Sequence, residues 1–368
     1  MKISLVVSIG FFCLAILQAC SSGYQSDKQA DSVSLIPARG NTDARGFEIA
    51  PFEGGADLII LDPWNARDTF ANYHIVFGDT DWQRWAVFST THIGFLDALG
   101  ESDRVIGCTT PDRIYNKGLY EKYKAGNLIR IGSDMEYNFE SLMDQHPDLV
   151  IQTGFAGQKT KDARIINSGI NLVYVMEWLE PTPLGRAEWI RVFGLLLNKS
   201  KEADSIFSSI RHEYLYLCDY IAEVSERPEV FVGNNYRGTW FMPGGKNYMS
   251  RFLQDAGFSY PYLNSNESGS LPLSFETVIH QFGRSPVWLG VSAESLKELV
   301  AEDERYKLFE AYRNQLVYSL SNRVIRDLGN DFWEAGVINP QEILKDLITI
   351  AHPDLFPEHE LTYYKKLR

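Results

Sequence analysis

Cysteine is scarce in this chain: four in 368 residues, at positions 13, 20, 108 and 218. None forms a CxxC or any other metal-site spacing, which argues against zinc-ribbon and thioredoxin-type chemistry. Cys108 and Cys218 lie far apart and read as two buried thiols, a disulfide being the alternative in an exported protein. Positive charge is also short, 35 Lys and Arg against 48 Asp and Glu for a net −13. Such a surface repels phosphate backbones and anionic lipid head groups, so nucleic acid is not an expected partner. Past residue 19 no apolar run approaches the roughly 20 residues of a membrane span. Catalytic signatures are missing as well: there is no GxSxG elbow and no HExxH. The fragment "PGGKN" is not a phosphate loop, because Trp240 stands where the first Gly belongs and Asn247 where Ser or Thr belongs. Carboxylate pairs such as Glu302–Asp303 fall in the charged run "EDER", which reads as solvated surface.

What is present begins at the N-terminus. Lys2, an apolar run from Ile3 to Leu17 and then "LQAC" have the form of an export signal, too short to span a bilayer. The Cys directly after Leu17-Gln18-Ala19 resembles the lipobox of bacterial lipoproteins, which implies cleavage after residue 19 and a lipid on Cys20. Loss of Lys2 then leaves 34 basic against 48 acidic residues, a net −14. The polar stretch that follows suits a flexible tether. The expected organisation is a signal peptide over 1–19, a tether over 20–46, a first lobe over 47–184, linking helices over 185–227 and a second lobe over 228–368.

Between residues 47 and 184, apolar runs such as "ADLIIL", "YHIVF", "WAVFS", "VIGC", "DLVIQ" and "NLVYV" alternate with short amphipathic stretches. This is the pattern of an α/β lobe with a mainly parallel sheet, the first two runs forming an added hairpin. Ala203, Phe207, Ile210, Tyr214, Leu217, Ile221 and Val224 then fall at alternating steps of four and three. That stripe predicts one helix of roughly 25 residues, about 38 Å long, ending before Pro228. A coiled coil is the alternative, but α/β pattern on both sides favours a rigid spine between lobes. After Pro228 the strands "EVFVG", "PVWLG" and "LVYSL" resume the alternation, closed by the helix "PQEILKDLITIAHP". One phrase occurs twice, "NFESLMDQ" from Asn138 and "SFETVIHQ" from Ser274. Asn138 and Ser274 are good N-caps, which puts Glu140 and Glu276 in the first turn of matching helices.

In order, "AVFSTTHIGFLDALGESDRVIGC", "NFESLMDQHPDLVI", "GINLVYV", the long helix, "RPEVFVG", "GTWFMPGG", "SFETVI", "NQLVYSL" and the final "HPDLF" resemble the substrate-binding lipoproteins of ABC importers for iron–siderophores, haem and cobalamin. The resemblance runs from about Trp85 to Phe356. It implies a class III periplasmic-binding-protein fold, α/β, with two Rossmann-like lobes of mainly parallel strands joined by a single long rigid helix. It also implies a ligand cleft between the lobes, an exported lipid-anchored monomer, no covalent cofactor and no chemistry on the ligand. Glu140 and Glu276 are implied to meet arginines of the membrane permease, whose ATPase works in the cytoplasm. The ligand is expected to be an iron–siderophore type chelate, with haem or a corrinoid as alternatives.

Ligands of open α/β sheets bind beyond the C-terminal ends of the strands. The loops there contain His92, Tyr115, Phe155, Trp178, Tyr236, Arg237, Trp240, Phe332 and Trp333, taken as ligand-binding candidates. Aromatic walls suit a large flat or greasy chelate, and Arg237 offers donors to carboxylates or phenolates. Each has a plainer role open to it: Tyr115 and Trp178 as loop covers, Trp240 as core, His92 as a hydrogen-bonded core or surface residue. Related proteins often carry Glu after the "ST" of this strand, where this chain has Thr91-His92. Rivals from other classes are a lipid-anchored hydrolase or chelatase, whose convergent nucleophile and base are not found, and a surface adhesin using its aromatic patch.

Overall fold

The computed structural model describes residues 40–65, 68–79, 81–133, 136–325 and 329–368. The expected signal peptide, Cys20 and most of the expected tether lie outside these residues.

Apolar β-branched runs flanked by helices produce a five-stranded parallel sheet in the first lobe. Its order across the sheet is Ile129–Arg130, Val105–Cys108, Trp85–Val87, Leu149–Thr153 and Asn171–Val175. The earliest strand, Trp85–Val87, is central and buried along its whole length. The chain winds outward from it in both directions, so strand order reverses beside its C-terminal end. Open α/β sheets place their ligands at such a switch point. The expected added hairpin is instead a three-stranded antiparallel sheet, Phe47–Phe52, Gly55–Leu61 and Thr69–Val76. Phe70 meets Tyr174 edge-on at 5.0 Å, and the Tyr73 hydroxyl accepts from the Tyr174 N–H at 3.1 Å, which ties this sheet to the lobe's edge strand.

The second lobe has a four-stranded sheet. Val230–Val232, Val287–Val291 and Val317–Ser319 run parallel, and the two-residue strand Lys365–Lys366 closes the far edge antiparallel. Beside it lies an antiparallel ribbon of Asn235–Tyr236, Thr239–Pro243 and Ser270–Leu273.

The predicted spine is the 22-residue helix Ser200–Ile221. At about 1.5 Å per residue it is about 33 Å long. Six of the seven residues of its apolar stripe are its buried residues, while Val224 lies past its end. Lys199, just before it, donates to the Leu99 carbonyl at 2.9 Å and pairs with Glu101 at 2.5 Å in the first lobe. Midway along, the Tyr214 hydroxyl donates to Asp255 of the second lobe at 2.9 Å. One continuous helix is therefore bonded to both lobes, and a coiled-coil role is not needed to cover its stripe.

Residues 42–46, expected in the tether, are bonded to the end of the first lobe and to the linking helices. The buried Glu188 carboxylate accepts from the N–H groups of Thr42, Asp43 and Ala44 at 2.6–2.8 Å. The buried Glu180 carboxylate accepts from those of Arg45 and Gly46 and from Trp189 Nε1. A Cβ on Gly46 would come within 2.7 Å of the Trp189 ring, so only glycine lets the chain lie this close.

Candidate functional site

The two lobes meet where the first-lobe helix Thr90–Ala98 packs on the second-lobe turn Ala335–Ile338. A Cβ on Gly94 would lie 2.2 Å from the Glu334 carbonyl oxygen, so the backbones approach closely here. Glu334, from the second lobe, reaches over the junction. Its two carboxylate oxygens accept from the Tyr115 and Asn116 N–H groups of the first lobe at 2.7 and 2.8 Å. Burial pushes its pKa up to about 7, against the pull of those two N–H groups. Nothing in its sequence neighbourhood marked Glu334 in advance, because its partners are backbone groups 219 and 218 residues away.

Several of the expected site residues fall into pairs. Phe155 and Trp178, beyond the C-terminal ends of Leu149–Thr153 and Asn171–Val175, lie 5.2 Å apart between centroids with their rings tilted by 40°. Trp178 is 38% exposed, and its Nε1 donates to the Gly154 carbonyl at 3.3 Å. Tyr115 is half-buried, with the Arg323 guanidinium 5.5 Å from its ring centroid. Arg323 is fixed by a 2.6 Å bond to the buried Asp331. Trp333 is 48% exposed and meets Phe332 edge-on at 4.7 Å. Because Glu334 holds Tyr115, the Tyr115 and Trp333 groups belong to one cross-lobe cluster.

The fourth pair is Tyr236 and Arg237 at the tip of the antiparallel ribbon. Tyr236 is 61% exposed, with the Arg237 guanidinium 5.2 Å from its ring centroid. Tyr236 pairs with Thr239 across a two-residue turn in which Arg237 and Gly238 have φ of 52° and 92°. Both positions of that tight turn need positive φ, which usually selects Asn-Gly. Here Arg takes the first place, held by the Asn235 side chain accepting from the Gly238 N–H at 2.9 Å.

Three expected ligand contacts are placed elsewhere. Trp240 is 0% exposed, and its Nε1 donates to the Val232 carbonyl at 2.8 Å. Its ring is enclosed by Phe231, Phe275, Trp288, Tyr306 and Phe309, which leaves no surface for a ligand. Strand alternation is the cause: Thr239 and the exposed Phe241 take the outer face, so Trp240 points inward. His92 is fully buried, 6.1 Å from Phe193, and burial drops its pKa to about 4. Phe332 is buried against Tyr363 and Tyr364 and acts as backing for Trp333.

Both repeated glutamates stand in water. Side-chain exposure is 74% for Glu140 and 76% for Glu276, in the helices Phe139–Asp144 and Phe275–Phe282. The caps are as expected, with Asn138 accepting from the Ser141 N–H and Ser274 from the Thr277 N–H. Each Glu has an arginine from further along its lobe, Arg164 at 3.1 Å and Arg305 at 3.5 Å. Its own backbone N–H and then Arg164 hold the Glu140 carboxyl below the usual range. Among the described residues no group of three or more His, Cys, Asp or Glu is placed to hold a metal ion, and no helix is long and apolar enough to cross a membrane.

The profile of the Periplasmic binding protein family matches residues 86–324. The chain belongs to that family. It is 26% identical over 294 residues to an uncharacterized lipoprotein of Methanocaldococcus jannaschii, covering 77% of this chain and 68% of that one. Among solved structures it is similar to the periplasmic heme-binding protein RhuT of Roseiflexus sp. RS-1, with a TM-score of 0.56 and 17% identity over 74% of this chain and 98% of the other. It is also similar to Helicobacter pylori CeuE, solved as a nickel–histidine complex, with a TM-score of 0.59 and 15% identity over 82% and 90% of the two chains.

Proposed function

We propose that this chain is a lipid-anchored binding protein that captures an iron–siderophore type chelate between its lobes and delivers it to an ABC permease. The observation that carries the proposal is a set of exposed or half-buried aromatic groups, two of them beside a guanidinium: Phe155 with Trp178, Tyr115 with Arg323 at the lobe junction, Trp333 next to that junction, and Tyr236 with Arg237. Flat rings bury the greasy faces of a chelate at about 25 cal/mol per Å² of apolar area, and the guanidinium groups meet its carboxylates or phenolates. Haem is the second reading, favoured by the likeness to RhuT, named as heme-binding, and cobalamin the third.

Cys20 is the proposed lipid attachment, and Glu140 and Glu276 are the proposed contacts to permease arginines. Two carboxylates, one on each lobe, would set encounter and register. Delivery is proposed to proceed from a monomer. Titration with ferric siderophores, haemin and cobalamin, followed by tryptophan fluorescence, tests the ligand class. Saturable quenching by one chelate is expected, and silence across the panel would move the assignment toward a surface adhesin. Glu140→Ala with Glu276→Ala is expected to leave that quenching intact while abolishing stimulation of the importer's ATPase. Loss of chelate binding in that variant would remove the docking role.

A further inference from the structure

The two knobs share more than a glutamate. In each lobe the residue before it is a phenylalanine, and in each an arginine guanidinium sits over that ring: Arg164 over Phe139 at 4.1 Å and Arg305 over Phe275 at 3.9 Å. From there each arginine reaches Oε1 of its glutamate. The two arginines come from matching places in the chain. Each lies in a helical turn beyond the strand that follows the knob helix, Arg164 in Ala163–Asn167 and Arg305 in Glu304–Leu308. Arg305 is held further by Asp303, whose carboxylate takes Nε and Nη2 at 2.7–3.1 Å.

Folding does not explain this duplication. Ion pairs this exposed add little to stability, and an arginine shields a phenylalanine ring whether or not a carboxylate lies at its end. We infer that Arg164 and Arg305 are positioning residues of the docking surface, holding Glu140 and Glu276 in the orientation that a cationic partner meets. The inference rests on the docking role proposed above. An exposed glutamate samples several rotamers, and fixing it on docking costs entropy. An arginine that is itself pinned on a ring supplies that order beforehand.

The sign of the effect separates positioning from simple charge. Each arginine lowers the net negative charge of its knob. If charge alone mattered, removing both would tighten docking on a cationic permease. If they position the carboxylates, removing both weakens it.

The test is ATPase stimulation of the importer that the wild-type chain activates, in proteoliposomes with saturating chelate. R164A/R305A is expected to raise the concentration for half-maximal stimulation roughly five- to tenfold at unchanged maximal rate and chelate affinity. R164K/R305K keeps the charge but loses the flat, forked group, and is expected to show the same rise. In R164A the Glu140 carboxyl carbon, followed by NMR, is expected to titrate at higher pH than in the wild type. Docking by the alanine variant as tight as wild type or tighter overturns the inference, provided E140A/E276A still abolishes stimulation. Normal docking by E140A/E276A overturns the docking role itself.

Discussion

His92 and Glu334 stand at the same lobe junction and have opposite proton demands. His92 is neutral in the fold, its pKa brought down to about 4 by burial with a small opposing push from Glu177. The stability it contributes is present above about pH 6.5 and lost as pH falls toward 4. Glu334, pushed up to about 7 by burial and then by Asp331 and Asp97, keeps its proton in the fold where the unfolded chain has lost it. Its contribution is fully present below about pH 4.5 and lost as pH rises through 7. Thermal melts across pH 4–8 test both: H92L is expected to flatten the acid-side loss and E334Q the loss toward neutral pH. Unchanged profiles in both variants would refute the assignment. A second pair of residues divides core from site. Trp240→Ala is expected to cost about 3–5 kcal/mol in urea unfolding. Tyr236→Ala, at the exposed ribbon tip, is expected to stay within about 0.5 kcal/mol while weakening chelate binding. Trp240 was expected in a loop, but it lies inside the strand Thr239–Pro243 and points inward. Parity along a strand depends on where the neighbouring turn begins, and "NNYRGTW" contains no Asn-Gly to mark it. Arg164 and Arg305 were illegible for another reason: they meet their glutamates 24 and 29 residues away through tertiary packing.

At the scale of elements, periodicity carried most of the information. Steps of four and three from Ala203 to Ile221 specify a helix with one buried stripe, and packing against Ile190–Leu196 and Pro340–Ala351 covers that stripe. Phe47–Phe52 was missed as a strand because "FEIAPF" contains Pro51, which strands tolerate mainly at an edge, and this strand is an edge. Lys365–Lys366 escaped because two lysines carry no apolar alternation, yet charged residues suit the rim of a sheet. The segment 42–46 looked like tether because it is polar; its order comes from Glu188 and Glu180, two buried carboxylates that supply acceptors for five backbone N–H groups. Glu188→Ala strips the acceptor from three of them, of which the buried Ala44 N–H costs roughly 1–3 kcal/mol if left unpaired and the part-buried Thr42 and Asp43 groups less. Faster amide exchange at residues 42–44 is expected in that variant, with the exchange of Trp85–Val87 unaltered. Equal protection at residues 42–44 in wild type and variant would show that the clamp is not what orders this segment.

At the scale of the molecule, two α/β lobes share one continuous helix bonded to each, and the first-lobe sheet has its switch point at the Trp85–Val87 strand. A spine of this kind restricts relative motion of the lobes, so capture is expected with modest closure and scattering profiles with and without chelate should nearly superimpose. Lobe, spine and lobe were legible because strand and helix periods differ and the change between them is abrupt. Which of the candidate aromatic groups are exposed was only half legible, since Trp240 and Phe332 are covered by distant residues of their own lobe. The central claim is tested most directly by the dissociation constant of the responding chelate for the wild-type chain and for W178A/Y236A, measured by calorimetry. The account predicts one equimolar site in the wild type and binding at least about tenfold weaker in the variant, at an unchanged melting temperature. Absence of saturable binding in the wild type, or equal affinity in the two proteins, would contradict it.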